Sequence, residues 1–252
     1  MNKRYHKRTH KFGMRVPKTV QEAIDIDREN GDTLWQDAIK KEMDAVMIAF
    51  RILNDDEAIP PGYQEINCHL VFEIKLESFR RKARYVAGGH MTDAPATLTY
   101  ASVVSRESVR IALTLAALND LEVKAGDIEN AYLTAPAAER ISIVCGPEFG
   151  PNAGKRALVV RSLYGLKSSG AAFRNHLADC MGTLGYKPCL ADQDVWLKPM
   201  VRPSDGHHYY AYVLLYVDDA LVIHHDGMSA LKEIDHFFKM KPSSMGDPDL
   251  YL

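Results

Sequence analysis

The sequence predicts an α+β fold in which an antiparallel sheet packs on helices, and three observations carry that expectation. First, residues 64–76 alternate apolar Ile66, Cys68, Leu70, Phe72, Ile74 and Leu76 with polar or charged neighbours, the period of a half-buried strand. Second, the apolar runs 209–217 and 220–223 are interrupted only by Asp218 and Asp219, as in a hairpin with acids at its turn. Third, Trp35, Ile39, Met43, Val46 and Phe50 recur at helical spacing across residues 32–50, with Asp32 as the expected N-cap.

Further elements follow in chain order. Basic residues near 80 and a short strand at 85–87 predict a hairpin with a positive tip. Residues 107–118 are apolar around most of their circumference, which predicts a buried helix. Residues 121–128 read as a strand with Leu121, Val123 and Ala125 on one face, and residues 158–160 as another. Helices are expected at 168–184 and 229–238. Residues 1–17 are basic and poor in apolar side chains, which predicts disorder.

Composition narrows the function classes. Of 252 residues, 46% are hydrophobic and 25% charged, enough for one large core or two packed subdomains. No run of about 18 apolar residues suggests a membrane span, and the polar N-terminus lacks a secretory apolar stretch. Cys68, Cys145, Cys180 and Cys189 are dispersed, which fits reduced thiols in an intracellular, cytoplasmic protein. The net charge of −2 hides asymmetry: Lys75, Arg80, Arg81, Lys82 and Arg84 face a single Glu within residues 75–90. Such a local basic face suits a polyanion, although a solvated charged surface is the plainer reading. His207, His208, His224, His225 and Asp226 have no zinc-ligand spacing and are expected to be exposed non-ligands.

Two adjacent carboxylates between apolar strands repel one another and need a cation. Mg²⁺ takes oxygen ligands, commonly one or two carboxylates plus phosphates, and Asp127, at the end of a predicted strand, is the candidate third acid. An isolated Asp-Asp pair is also an ordinary turn.

The motifs decide between these. Tyr216-Val217-Asp218-Asp219 matches the YVDD signature of reverse transcriptases. Residues 127–133 (DIENAYL) resemble the pattern DVxNAFL, residues 162–167 (SLYGLK) match a block of that name, and residues 81–87 (RKARYVA) resemble KARLVA. Residues 100–104 (YASVV) resemble FAPVV, and Trp35 stands where a helix-borne Trp is found. These blocks, in this order across residues 35–252, make the chain similar to copia-type retrotransposon reverse transcriptases.

The resemblance implies the fingers and palm of a right-hand polymerase within residues 18–252. Fingers are expected mainly at 60–105 and 140–165, palm at 106–139 and 166–252, with the thumb absent or incomplete. It implies RNA-directed DNA polymerase activity on an RNA or DNA template with primer and dNTPs, using two Mg²⁺ ions or Mn²⁺. Asp127, Asp218 and Asp219 would be the metal-binding carboxylates, joined by the carbonyl of Ile128. Tyr132 would be the steric gate against a 2′-hydroxyl. Lys82 and Arg84 would reach the triphosphate, while Lys167, Ser168, Gly170 and Tyr216 would lie at the template-primer.

Where the family continues QAPRAW, Ser168, Gly170 and Phe173 replace Gln, Pro and Trp, and Ala87-Gly88-Gly89-His90 replaces AKGF. The resemblance also implies protease and integrase upstream and an RNase H domain downstream in a polyprotein, with a virus-like particle as the setting of an active element. A silent nucleic-acid-binding remnant and a metal-dependent nuclease are the other readings. The YVDD hairpin and Tyr132 weigh against the nuclease.

Overall fold

The computed structural model describes residues 9–76, 78–89, 92 and 102–248. The chain forms two compact units: residues 1–98 with 136–169, and residues 99–135 with 170–252.

In the first unit, helices Val20–Asn30 and Leu34–Val46 are joined by a tight corner at Gly31, whose φ of 72° is left-handed and suits glycine. The second helix begins after Thr33, which makes no side-chain cap bond. The cap comes from Asp27 of the preceding helix, fully buried, whose carboxylate accepts from the Trp35 and Gln36 backbone N–H groups at 3.1 and 2.9 Å. Asp32, the expected cap, accepts only from Leu34 N at 3.3 Å. Trp35 is buried edge-on against Phe72.

Phe72 belongs to the Cys68–Ile74 strand, which pairs antiparallel with Arg81–Ala87. The basic segment is therefore largely strand rather than hairpin tip. The expected strand at 64–76 is split, because Gln64–Glu65 joins a separate four-stranded sheet with Ile141–Val144, Arg156–Val159 and Phe50–Ile52. Gly165 sits at φ 94°, and a Cβ there would meet the Ala87 carbonyl oxygen at 2.2 Å. Only glycine lets the 163–166 turn approach the Arg81–Ala87 strand, where Ala87 N–H donates to Tyr164 O.

The N-terminal expectation is corrected for part of its length. His10–Lys11 pairs with Met14–Arg15 through a turn at Phe12 and Gly13, both with positive φ. Lys11 binds Glu73, and Phe12 packs edge-on against Phe79, so a basic segment finds acidic and aromatic partners. Residues 1–8 lie outside the described residues, as do Tyr100, Ala101 and His90 of the motif blocks.

The second unit is built on a five-stranded antiparallel sheet. Its order is Lys187–Pro188, Val195–Val201, His208–Tyr216, Asp219–His224 and Glu122–Asp127. Ala211, Val213, Leu215, Ala220 and Val222 face helices Ser169–Thr183 and Gly227–Phe237, packing with Phe173, Leu177, Met181, Leu231 and Ile234. Leu214, Leu221 and Ile223 face the other way, onto Val109, Ala112 and Ala116 of helix Arg106–Leu118. Burial on both faces explains the unbroken apolar runs of the central strands. Leu121, Val123 and Ala125 share the second face, as the alternation predicts. Helix Arg106–Leu118 is less buried than its composition suggests: Ile111 and Leu118 are 61% and 76% exposed, because its small residues, not its large ones, meet the sheet.

Asp27→Ala should cost about 1–2 kcal/mol of unfolding free energy in urea titrations, the typical worth of a helix cap. Asp27→Asn, which keeps an acceptor oxygen, should cost less.

Candidate active site

The acids expected from the motifs come together although far apart in sequence. Strands Glu122–Asp127 and Asp219–His224 pair so that Asp219 lies directly opposite Asp127. Just beyond, Ile128 N–H donates to the Asp218 carbonyl at 2.8 Å. The hairpin closes between Tyr216 and Asp219, leaving Val217 and Asp218 as its two-residue turn. The turn is thus one residue earlier than an Asp-Asp tip, and Asp219 already belongs to the strand.

Val217 has φ 56° whereas Asp218 does not have positive φ, the pattern of a type II′ turn. Glycine is the usual residue at that first position. A β-branched Val in left-handed backbone costs on the order of 1–3 kcal/mol, and such strain persists only where surrounding structure enforces it.

Electrostatics mark the same place. Partial burial of the Asp219 carboxyl and then the charges of Asp218 and Asp127 push its pKa up from 3.8 to about 6, against the opposing charge of Lys241. Asp219 is nonetheless surface-exposed as a residue, so solvent screens much of this effect. Asp127 is held from behind by residues 241–244. Lys241 Nζ pairs with its Oδ1, Lys241 N–H donates to its carbonyl at 2.9 Å, and its own N–H donates to Ser244 Oγ at 2.9 Å. Sequence reasoning missed Lys241 and Ser244, which lie in no motif block; the bridges of Met240 with Ile128 and of Gly246 with Ala125 bring them here.

Tyr132 lies in the short helix Ala131–Thr134, entered through Asn130 in left-handed backbone. Its ring packs edge-on against Phe173, centroids 6.2 Å apart, and Phe173 in turn against Phe238. Burial, and then the Asp218 charge, raise the Tyr132 pKa, so the phenol is both a core residue and a neighbour of the acids. Phe173, at one of the motif departures, is the ring that supports it.

The remaining expected residues divide between the units. In the first, Arg84 pairs with Glu73 at 3.2 Å and Lys82 lies opposite Glu73 in the hairpin register. The charges of Lys82 and Arg84 also act on Glu42, whose pKa burial raises overall. Lys167 donates to Thr92 O. Ser168 is 1% exposed, and its Oγ and N–H both bind Glu139. In the second unit Tyr216 is exposed beside the turn and Gly170 is half-buried in the first turn of its helix. His224 is buried at the end of the central hairpin, not exposed, and stacks on His225 at 4.4 Å. Tyr209 Oη lies 2.6 Å from His225 Nδ1.

Three acids at adjoining strand ends form an all-oxygen donor set of the type hard divalent cations accept. Among the described residues, no three His, Cys, Asp or Glu side chains already converge closely enough to hold an ion. The donor chemistry fits a divalent metal, and the Lys241 ammonium now occupies one oxygen of Asp127.

Fold and site together define an α+β protein whose antiparallel sheet ends in an acidic hairpin. Residues 56–251 match the family described as reverse transcriptase (RNA-dependent DNA polymerase), and the chain belongs to that family. It is 28% identical over 223 residues to the retrovirus-related Pol polyprotein from transposon TNT 1-94 of Nicotiana tabacum, covering 84% of this chain and 16% of that protein. The corresponding polyproteins from transposons RE2 and RE1 of Arabidopsis thaliana are 26% and 25% identical, covering 89% and 83% of this chain and 15% and 14% of theirs. The chain thus spans only about a sixth or less of the polyproteins it matches. Among the described residues no helix is long and apolar enough to cross a membrane.

The raised Asp219 carboxyl predicts a pH effect. Between about pH 4 and 6 the folded state binds more protons at this group than the unfolded chain, so its contribution to stability falls as pH rises through that window. In chelator-containing buffer, Asp219→Asn should therefore be more stabilising at about pH 8 than at about pH 5, measured by urea unfolding of both proteins.

Proposed function

We propose that this chain is the RNA-directed DNA polymerase part of a copia-type Pol polyprotein, joining dNTPs to a primer 3′-hydroxyl on an RNA or DNA template. The observation that carries the reading is the register of Asp219 against Asp127, with Asp218 at the adjoining turn. In this reading the second unit is the palm, and the hairpin of Cys68–Ile74 and Arg81–Ala87 belongs to the fingers.

Asp127, Asp218 and Asp219, with the Ile128 carbonyl, would hold two Mg²⁺ ions, which supply activation of the 3′-hydroxyl and neutralise the leaving pyrophosphate. The chain's own tasks are positional. Asp127 and Asp219 fix the donors on a buried sheet that does not shift register. Tyr132, backed by Phe173, fills the space beside C2′ of the incoming sugar. The motif match assigns Lys82 and Arg84 to the triphosphate, where Arg suits bidentate contact and Lys a point charge. Gly170, Lys167 and Tyr216 are assigned to the template-primer; Ser168 contributes through its link to Glu139 and not as a free hydroxyl.

Primer extension on poly(rA)/oligo(dT) with Mg²⁺ tests the reading. Asp218→Asn should abolish extension, and activity unchanged in that variant would remove the carboxylates from the mechanism. Tyr132→Val should raise the ratio of ribo- to deoxyribonucleotide catalytic efficiency while the metal requirement stays. An unchanged ratio in an active variant would leave Tyr132 a core residue only.

A further inference from the structure

The segment 239–246 runs back along residues 125–129 and holds Asp127 at its N–H, its carbonyl and its carboxylate. Gly246 and Ala125 exchange two backbone hydrogen bonds at 2.8 and 3.1 Å, and Glu129 N–H donates to Lys239 O at 2.8 Å. Lys239 Nζ also pairs with Glu129 at 2.9 Å. Between these anchors, Ser244 Oγ accepts from Asp127 N–H and donates to Lys241 O at 2.8 Å, while Lys241 N–H takes the Asp127 carbonyl. Both backbone groups of Asp127 are thus fixed by one short turn containing Pro242. The same turn delivers the Lys241 ammonium to the carboxylate. The Lys241 side chain stays 42% exposed, so it can swing into solvent without unpacking the core.

We propose that Lys241 is a resident counter-cation of the acidic cluster, a positioning residue that holds Asp127 in place and yields it when a divalent ion enters. The inference rests on the metal reading above. Like charges at adjoining strand ends repel, and an ammonium on a flexible stem offsets that repulsion reversibly, whereas a buried guanidinium fork would not release as readily. The ammonium and the incoming ion then compete for the same carboxylate oxygen. The backbone bonds of Lys241 and Ser244 keep the Asp127 main chain in place during the exchange.

The test is Mn²⁺ titration of the whole chain followed by electron paramagnetic resonance, with thermal unfolding in chelator alongside. Lys241→Ala and Lys241→Gln should lower Tm in chelator yet bind Mn²⁺ more tightly, by up to about fivefold, the equivalent of a half-exposed ion pair. Lys241→Arg, which keeps a cation that releases less readily, should restore Tm in chelator and hold Mn²⁺ affinity at or below that of wild type. Lys241→Gln keeps the backbone bonds and much of the side-chain length, so it reads the charge should the Ala variant fail to fold. Wild-type binding with unchanged or weaker Mn²⁺ affinity in Lys241→Gln overturns the counter-cation role and leaves the metal reading standing. Absence of Mn²⁺ binding in wild type and variants alike overturns the metal reading and this inference with it.

Discussion

The candidate site depends on one constraint: the antiparallel register of strands Glu122–Asp127 and Asp219–His224. A shift of one residue would turn every side chain of a strand to the opposite face. Here both faces are buried, with Ala220 and Val222 in one apolar cluster and Leu221 and Ile223 in another. A slip would place small residues where large ones pack on one face, opening cavities, and force large ones into the space of small ones on the other. The apolar interior of the sheet thus fixes where Asp127 and Asp219 stand, although neither acid contributes to that packing.

The register has an electrostatic consequence. It brings three carboxylates to one sheet end, where the charges of Asp218 and Asp127 act against ionisation of Asp219. It also demands a two-residue turn, and that turn accepts Val217 in left-handed backbone. Charge repulsion and backbone strain both oppose this local arrangement. They are tolerated because the strands on either side are anchored by burial that neither effect can overcome, and because the segment at 239–246 secures Asp127 from outside the sheet. Gly126 shows how closely that outer layer fits: a Cβ there would meet Met240 Sδ at 3.0 Å and Leu231 Cδ2 at 3.3 Å.

Period and composition made the central hairpin, its neighbouring strand and the helices of the second unit legible, because long apolar runs leave few alternatives. The carboxylates were legible for a different reason, since they interrupt those runs in a recognisable motif. Other features had no local signature. Helix Val20–Asn30 carries many acids, and only the tertiary contact through buried Asp27 shows that it caps its neighbour. Strand Val195–Val201 contains Pro199 and Lys198 and is held chiefly by its pairing with His208–Tyr216. The N-terminal hairpin depends on Glu73 and Phe79, distant in sequence. Helix Arg106–Leu118 went astray differently: composition registered its large apolar residues, but Val109, Ala112 and Ala116 form the buried stripe.

The same distinction governs Tyr132. Its offset from Asp127 is a sequence feature, but its orientation follows from the ring behind it. Phe173 replaces the Trp usual at that place in the resembling sequences, and it is packed between Tyr132 and Phe238 with 2% exposure. Edge-to-face packing constrains ring tilt as well as position. Phe173 thus constrains the tilt of the ring on which the Asp218 charge acts. Motif comparison registers Phe173 as a departure in a template-contact block. The structure shows it as the middle member of an aromatic row, between Phe238 and the Tyr132 ring that neighbours the acids.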